Sequence, residues 1–203
     1  IALDALTGAR RWETALQLPG GSPYQGMPFG GNLAAFRDLI VVPAWDVYAL
    51  DRNTGSVRWT FDQPDDFPGY GSVFVVDSTV YSVGRRLYAL NATDGQLRFQ
   101  VDLQERPFRP IVVDSVIYVG TRREVLPGTL GNGHVFALNR NTGAVIWSIP
   151  IDDPQDSVRG GAVGPVAVAE TLVVVAAMNG TIYGLDRATG NVRWTHNGTG
   201  SYE

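Results

Sequence analysis

Side chains capable of acid–base or metal chemistry are few in this sequence, and they stand apart from one another. Two histidines occur, His134 and His196. Neither has a Ser or Cys partner in a recognisable nucleophile motif, so neither is read as a general base. His134 directly precedes an apolar run, Val135–Leu138, and is placed where a strand begins. Asp65-Asp66 and Asp152-Asp153 are acidic pairs of the kind that hard cations favour. Both lie in Pro-containing connections without the spaced Asp series of a calcium loop. They read as solvated loop acids, with a loop Ca²⁺ site as the alternative. Gly30-Gly31, Gly160-Gly161 and Gly131-Asn132-Gly133 precede no helix pattern. A phosphate cradle needs a strand–loop–helix context, so these read as turns or close backbone approaches. The absence of cysteine excludes disulfides, thiolate metal sites and cysteine nucleophiles.

The elements that would position any site are written five times over. Ala2-Leu3-Asp4 leads to Thr7-Gly8 and Trp12; Ala49-Leu50-Asp51 leads to Thr54-Gly55 and Trp59. Ala89-Leu90-Asn91 leads to Asp94-Gly95 and Phe99; Ala137-Leu138-Asn139 leads to Thr142-Gly143 and Trp147. Gly184-Leu185-Asp186 leads to Thr189-Gly190 and Trp194. Steps of 47, 40, 48 and 47 residues separate Gly8, Gly55, Gly95, Gly143 and Gly190, a period that marks stacked repeat units. Each copy reads as a β-hairpin whose turn closes on a glycine in the left-handed region. The Asp or Asn opening the turn accepts hydrogen bonds from backbone N–H groups inside it.

One small residue and one large ring recur per copy, which suggests that each ring fills space beside a neighbouring unit. Trp12, Trp59, Phe99, Trp147 and Trp194 are therefore expected to be docking residues, with the five turn glycines. If fully buried, Trp59 or Trp147 replaced by Ala should cost roughly 3–5 kcal/mol. Two further short apolar runs precede each hairpin, such as Val73–Val76 and Thr79–Val83 split by Asp77-Ser78. Each unit thus reads as four strands, and four-stranded sheets at this period read as propeller blades. The expected fold is all-β: a half-blade at 1–19, then blades at about 30–63, 70–104, 107–152 and 160–197. That makes about four and a half blades of an incomplete ring. Membership in a longer polypeptide is the preferred account. Assembly with a second chain and a small four-bladed closure are the alternatives.

The pattern Ala-x-Asp/Asn-x-x-Thr-Gly-x-x-x-Trp resembles the tryptophan-docking motif of the PQQ-repeat, or quinoprotein-like, β-propellers. The third copy departs from it at Asp94 and Phe99, and the fifth at Gly184. The resemblance implies an eight-bladed ring and a periplasmic or extracellular location. It further implies either a PQQ-dependent dehydrogenase or a non-enzymatic, BamB-like scaffold. The dehydrogenases of this family hold PQQ with Ca²⁺ or a lanthanide and commonly a vicinal disulfide, which this chain cannot form. The expectation is therefore no catalytic, cofactor or metal residues, with PQQ and Ca²⁺ entering only under the dehydrogenase alternative. An extracellular sensor domain is a further alternative.

With net charge −4 and no basic stripe, nucleic acid is not an expected partner. The longest apolar stretch, Ala162–Met178, contains Gly164, Pro165 and Glu170 and reads as two buried strands, since a membrane helix needs about 20 apolar residues. Protein partners are expected instead, with the chain peripheral to a membrane complex as one setting. Arg122–Gly133 exceeds the usual hairpin connection and carries Arg122, Arg123, Val125, Leu126 and Leu130 as candidate contacts. Tyr24, Met27 and Phe29 in Gly20–Gly31, and Tyr70 one blade on, are the other contact candidates.

Overall fold

The computed structural model describes residues 1–16, 31–63, 72–126, 129–131, 133–151, 164, 166–177 and 180–197, with the backbone alone for 123–126 and 129–131. It comprises two compact units, Ile1–Gln100 and Val101–Glu203. No helix occurs among the described residues.

The first unit starts with the hairpin β1 (Ala2–Leu3) and β2 (Arg10–Trp12). A four-stranded antiparallel sheet follows: β3 (Ala34–Phe36), β4 (Leu39–Pro43), β5 (Val47–Asp51) and β6 (Val57–Phe61). A second such sheet comprises β7 (Ser72–Val76), β8 (Thr79–Val83), β9 (Leu87–Asn91) and β10 (Leu97–Val101). Each strand pairs with the next in sequence, as in a propeller blade. Between the two sheets lies one apolar layer that includes Val41, Val47, Ala49, Trp59, Val80, Tyr88 and Leu90. The β1–β2 hairpin contributes Trp12 to a smaller cluster around Tyr48 and Leu50.

The second unit holds β11 (Arg106–Pro107), β12 (Ile111–Val113), β13 (Val116–Leu126), β14 (Thr129–Gly131), β15 (Gly133–Asn139) and β16 (Val145–Ile151) in one sheet. Its next sheet is β17 (Ala167–Val168), β18 (Leu172–Ala176), β19 (Thr181–Asp186) and β20 (Val192–Asn197). Tyr118, Val135, Ala137, Ile151, Val173 and Leu185 form the layer between these sheets.

The repeated turn closes on the same backbone bond in all five copies, from the glycine N–H to the carbonyl of the Asp or Asn that opens it. In the second copy the Gly55 N–H donates to the Asp51 carbonyl at 2.8 Å, and Asp51 Oδ1 accepts from the N–H groups of Asn53 and Thr54. Gly55 has φ +74°, and the other four turn glycines lie between +70° and +78°. A side chain at that φ crowds the following carbonyl at a cost of about 1–2 kcal/mol, so glycine is favoured there.

Three details differ from the sequence expectations. Arg122–Gly133 is not an irregular connection: β13 continues to Leu126 and folds back on β14 with Glu124 opposite Leu130. That pairing satisfies backbone groups that a long loop would leave to water. His134 lies inside β15 rather than ahead of it. The small residue of each motif faces the ring of its own hairpin, with Ala49 opposite Trp59 and Ala137 opposite Trp147. The gap that a neighbour's ring fills is instead the missing Cβ of the turn glycine.

Candidate functional site

In the first unit, a Cβ built on Gly55 would fall 2.5 Å from Trp12 Cε3, and one on Gly95 would fall 2.6 Å from Trp59 Cε3. In the second unit, a Cβ on Gly190 would fall 2.7 Å from Trp147 Cε3. The indole N–H groups continue the same contact. Trp12 Nε1 donates to the Arg52 carbonyl at 3.0 Å, Trp59 Nε1 to Ala92 at 3.1 Å and Trp147 Nε1 to Arg187 at 3.2 Å. Each ring thereby satisfies its one polar atom while sealing a seam between sheets. Trp194 differs: its ring lies over Gly184 of its own hairpin and is 41 % exposed. Above Gly8, no heavy atom of the described residues lies within 4 Å of a built Cβ. Phe99 is half-buried on β10, and Gly143 closes its turn at φ +74°.

The seam in the second unit contains a cavity of about 400 Å³ lined by Val116, Tyr118, Ile146, Trp147, Glu170 and Arg187, among others. Arg187 ties its two walls together. Its guanidinium reaches Asp114 Oδ2 at 2.6 Å, the Tyr118 hydroxyl at 3.1 Å and the Glu170 carbonyl at 3.3 Å. Arg193 folds back onto Asp186, and this interaction, followed by the Thr189 N–H, holds the Asp186 carboxyl down to about 2.

Near the base of the β13–β14 hairpin lies a cluster that sequence reading missed. His134 Nδ1 meets Glu105 Oε1 at 2.8 Å, and the Thr121 hydroxyl bridges Glu105 and the His134 backbone. The Glu105 side chain is only 8 % exposed. Glu105 comes 29 residues before His134 in a connection without periodicity, so no spacing rule joins them. Arg122, from the same hairpin, lies with its guanidinium 5.7 Å from the Phe108 ring.

Another acidic pair stands in the first unit. Burial, then the nearby Asp62 charge, pushes the Asp46 carboxyl up, while the Gln63 N–H draws it down. The Tyr48 hydroxyl is within 3.4 Å of Asp46 and is itself pushed up by burial and that carboxylate. No group of three His, Asp or Glu side chains converges on a cation position among the described residues. The expected contacts Tyr24, Met27, Phe29 and Tyr70 lie outside the described residues, as do the side chains of Arg123, Val125, Leu126 and Leu130.

Four-stranded sheets joined through indole-over-glycine seams define a β-propeller. A family profile described as outer membrane protein assembly factor BamB matches residues 1–163 and 131–202, and the chain belongs to that family of PQQ-repeat propellers. Over 160 residues the chain is 32 % identical to the outer membrane protein assembly factor BamB of Yersinia pestis, covering 73 % of this chain and 38 % of that protein. The corresponding protein of Moranella endobia (strain PCIT) is 26 % identical over 208 residues, covering 96 % and 51 %. The chain thus spans about half or less of these relatives. Among solved structures, the quinohemoprotein alcohol dehydrogenase ADHIIG of Pseudomonas putida HK5 superposes with a TM-score of 0.64 at 18 % identity, over 83 % of this chain and 34 % of that one. This last likeness concerns the fold alone. No helix among the described residues is long and apolar enough to cross a membrane.

Proposed function

We propose that this propeller is a non-catalytic scaffold that presents loops and edges to protein partners in outer-membrane protein assembly. The observation that carries this reading is family membership combined with how the described acids are used. Asp4, Asp51 and Asp186 accept hydrogen bonds inside their own turns, and Glu105 is tied to Thr121 and His134. On this reading the protein works outside the cytoplasm, peripheral to a membrane complex, and takes no PQQ, no metal and no nucleic acid. The sheets act as successive blades of a larger ring, and the indole–glycine pairs act as its fasteners. The β13–β14 hairpin, with Arg122, Arg123, Val125, Leu126 and Leu130, is one contact surface. Tyr24, Met27, Phe29 and Tyr70 belong to a second.

The test is affinity purification of the full-length protein from native membranes, with and without residues Glu124–Leu130. Retained co-purification of outer-membrane assembly components by the intact protein, and their loss on deletion, supports the reading. A quinone absorbance band with alcohol oxidation after adding PQQ and Ca²⁺ would overturn it.

A further inference from the structure

The Trp59 seam and the Trp147 seam correspond position by position. On β4, Val41 lies opposite Ala49, which lies opposite Trp59; on β13, Tyr118 lies opposite Ala137, which lies opposite Trp147. Trp59 Nε1 donates to the Ala92 carbonyl, and Trp147 Nε1 to that of Arg187. Tyr118 and Arg187 therefore stand where the first unit has Val41 and Ala92. Ile146 stands where it has Arg58, directly before the ring.

These exchanges change how the seam is closed. In the first unit Val41, Trp59 and Ala92 belong to one buried apolar layer. In the second unit the Trp147 ring is half-buried and borders the cavity of about 400 Å³. A ring edge that faces a cavity forgoes the dispersion contacts that packed neighbours would supply. The contacts that Arg187 makes across the gap are polar. Asp114 Oδ2 and the Tyr118 hydroxyl, both from the neighbouring sheet, accept from its guanidinium at 2.6 Å and 3.1 Å. The Asp114 side chain is 75 % exposed, so dissolved ions reach this pair. Sparse apolar contact combined with exposed polar contact marks the part of a structure that opens at low cost.

We propose that the Trp147 seam is an opening point built into the second unit, with Arg187 as its salt-sensitive clasp. Both sheets stay intact as it opens. The Trp147 ring lifts from Gly190, its Nε1–H leaves the Arg187 carbonyl, and the cavity widens to solvent. Closing restores the Arg187–Asp114 pair. The claim does not depend on the assembly role, because a scaffold and an enzyme would carry the same seam.

The test is hydrogen–deuterium exchange of the indole N–H groups in the whole ¹⁵N-labelled chain, read by NMR. The five tryptophans give one signal each, assigned by single substitutions to Phe. The Trp147 indole should exchange at least about tenfold faster than that of Trp59, while the backbone amides of β15 and β18 stay protected. Raising the salt from about 10 mM to about 1 M cuts the screening length from about 30 Å to about 3 Å. That change should speed exchange at Trp147 roughly twofold to fivefold, the range of an exposed ion pair, and leave Trp59 as it was. Asp114→Asn suits the left-handed φ of +54° at that position, so it is compatible with the turn. It should give the same acceleration at low salt. Arg58→Gln should leave Trp59 unaffected, because Asp38 and Asp51 belong to the same sheet as Arg58. Equal rates at Trp59 and Trp147, no response of Trp147 to salt, or none to Asp114→Asn each overturns the proposal. So do β15 and β18 amides that exchange as fast as the Trp147 indole, because the event is then global unfolding.

Discussion

Replacing Gly95 by Ala tests the seam at Trp59, the most buried of the three docked indoles. Two costs are expected, and they are separable. At φ +74° an L side chain carries backbone strain of about 1–2 kcal/mol. The new Cβ would also stand 2.6 Å from Trp59 Cε3 and 2.7 Å from Cδ2, well inside a normal carbon–carbon contact. The ring must therefore retreat by roughly 1 Å, and overpacking of this kind costs about 1–3 kcal/mol. Trp59 is only 8 % exposed and its Nε1–H is committed to the Ala92 carbonyl, so the ring has little free room to move. The total expected loss is about 2–5 kcal/mol. Urea unfolding of Gly95→Ala, Trp59→Ala and the double variant isolates the second cost. In the Trp59→Ala background, Gly95→Ala should cost only the strain, leaving a coupling of about 1–3 kcal/mol between the two positions. Gly8→Ala is an internal comparison, since Gly8 has φ +70° but no described heavy atom within 4 Å of a built Cβ. A coupling near zero, or equal losses for Gly8→Ala and Gly95→Ala, would refute the claim that the ring seals the seam through the glycine.

Three other outcomes follow from the same geometry. Trp59→Ala should cost roughly 3–5 kcal/mol and Trp194→Ala less than half of that, because Trp194 is 41 % exposed; denaturant midpoints compare the two. Asp46 has its carboxyl pushed up by burial and by Asp62, so its stabilising contribution is complete below the ordinary carboxylate range and is lost as pH rises through the folded value. Asp46→Asn should accordingly stabilise the protein at pH 7 and not at pH 3, by less than about 1 kcal/mol given solvent screening; thermal melts at both pH values would show it. Asp186 lies at about 2, so its contribution is present above the ordinary carboxylate value and fades as pH falls toward 2. Asp186→Asn should flatten that part of the acid-unfolding curve, read by circular dichroism.

Much of the architecture is written locally, and for that reason the sequence alone determined it. Turn chemistry is a property of a few consecutive residues: an Asp or Asn that accepts from the next N–H groups, and a glycine that tolerates positive φ. Strand periodicity is equally local, so the hairpins around Gly8, Gly55, Gly95, Gly143 and Gly190 and the four-strand grouping were legible without coordinates. What lies across space was legible only in outline: each ring was expected beside a neighbouring unit, and the turn glycines among the docking residues, without the pairing of ring to glycine. The ring of Trp59 meets Gly95, 36 residues on, rather than the small residue of a neighbouring unit, because that contact depends on how two sheets stack. Glu105 and His134 meet through strand pairing, and β13 extends into a hairpin because its backbone finds a partner in β14. The cavity beside Ile146 likewise lies between two sheets that Arg187 bridges. Local conformational preference is encoded residue by residue. Contact between distant segments is decided by the packing that brings them together, and in this chain the candidate binding surfaces are of that second kind.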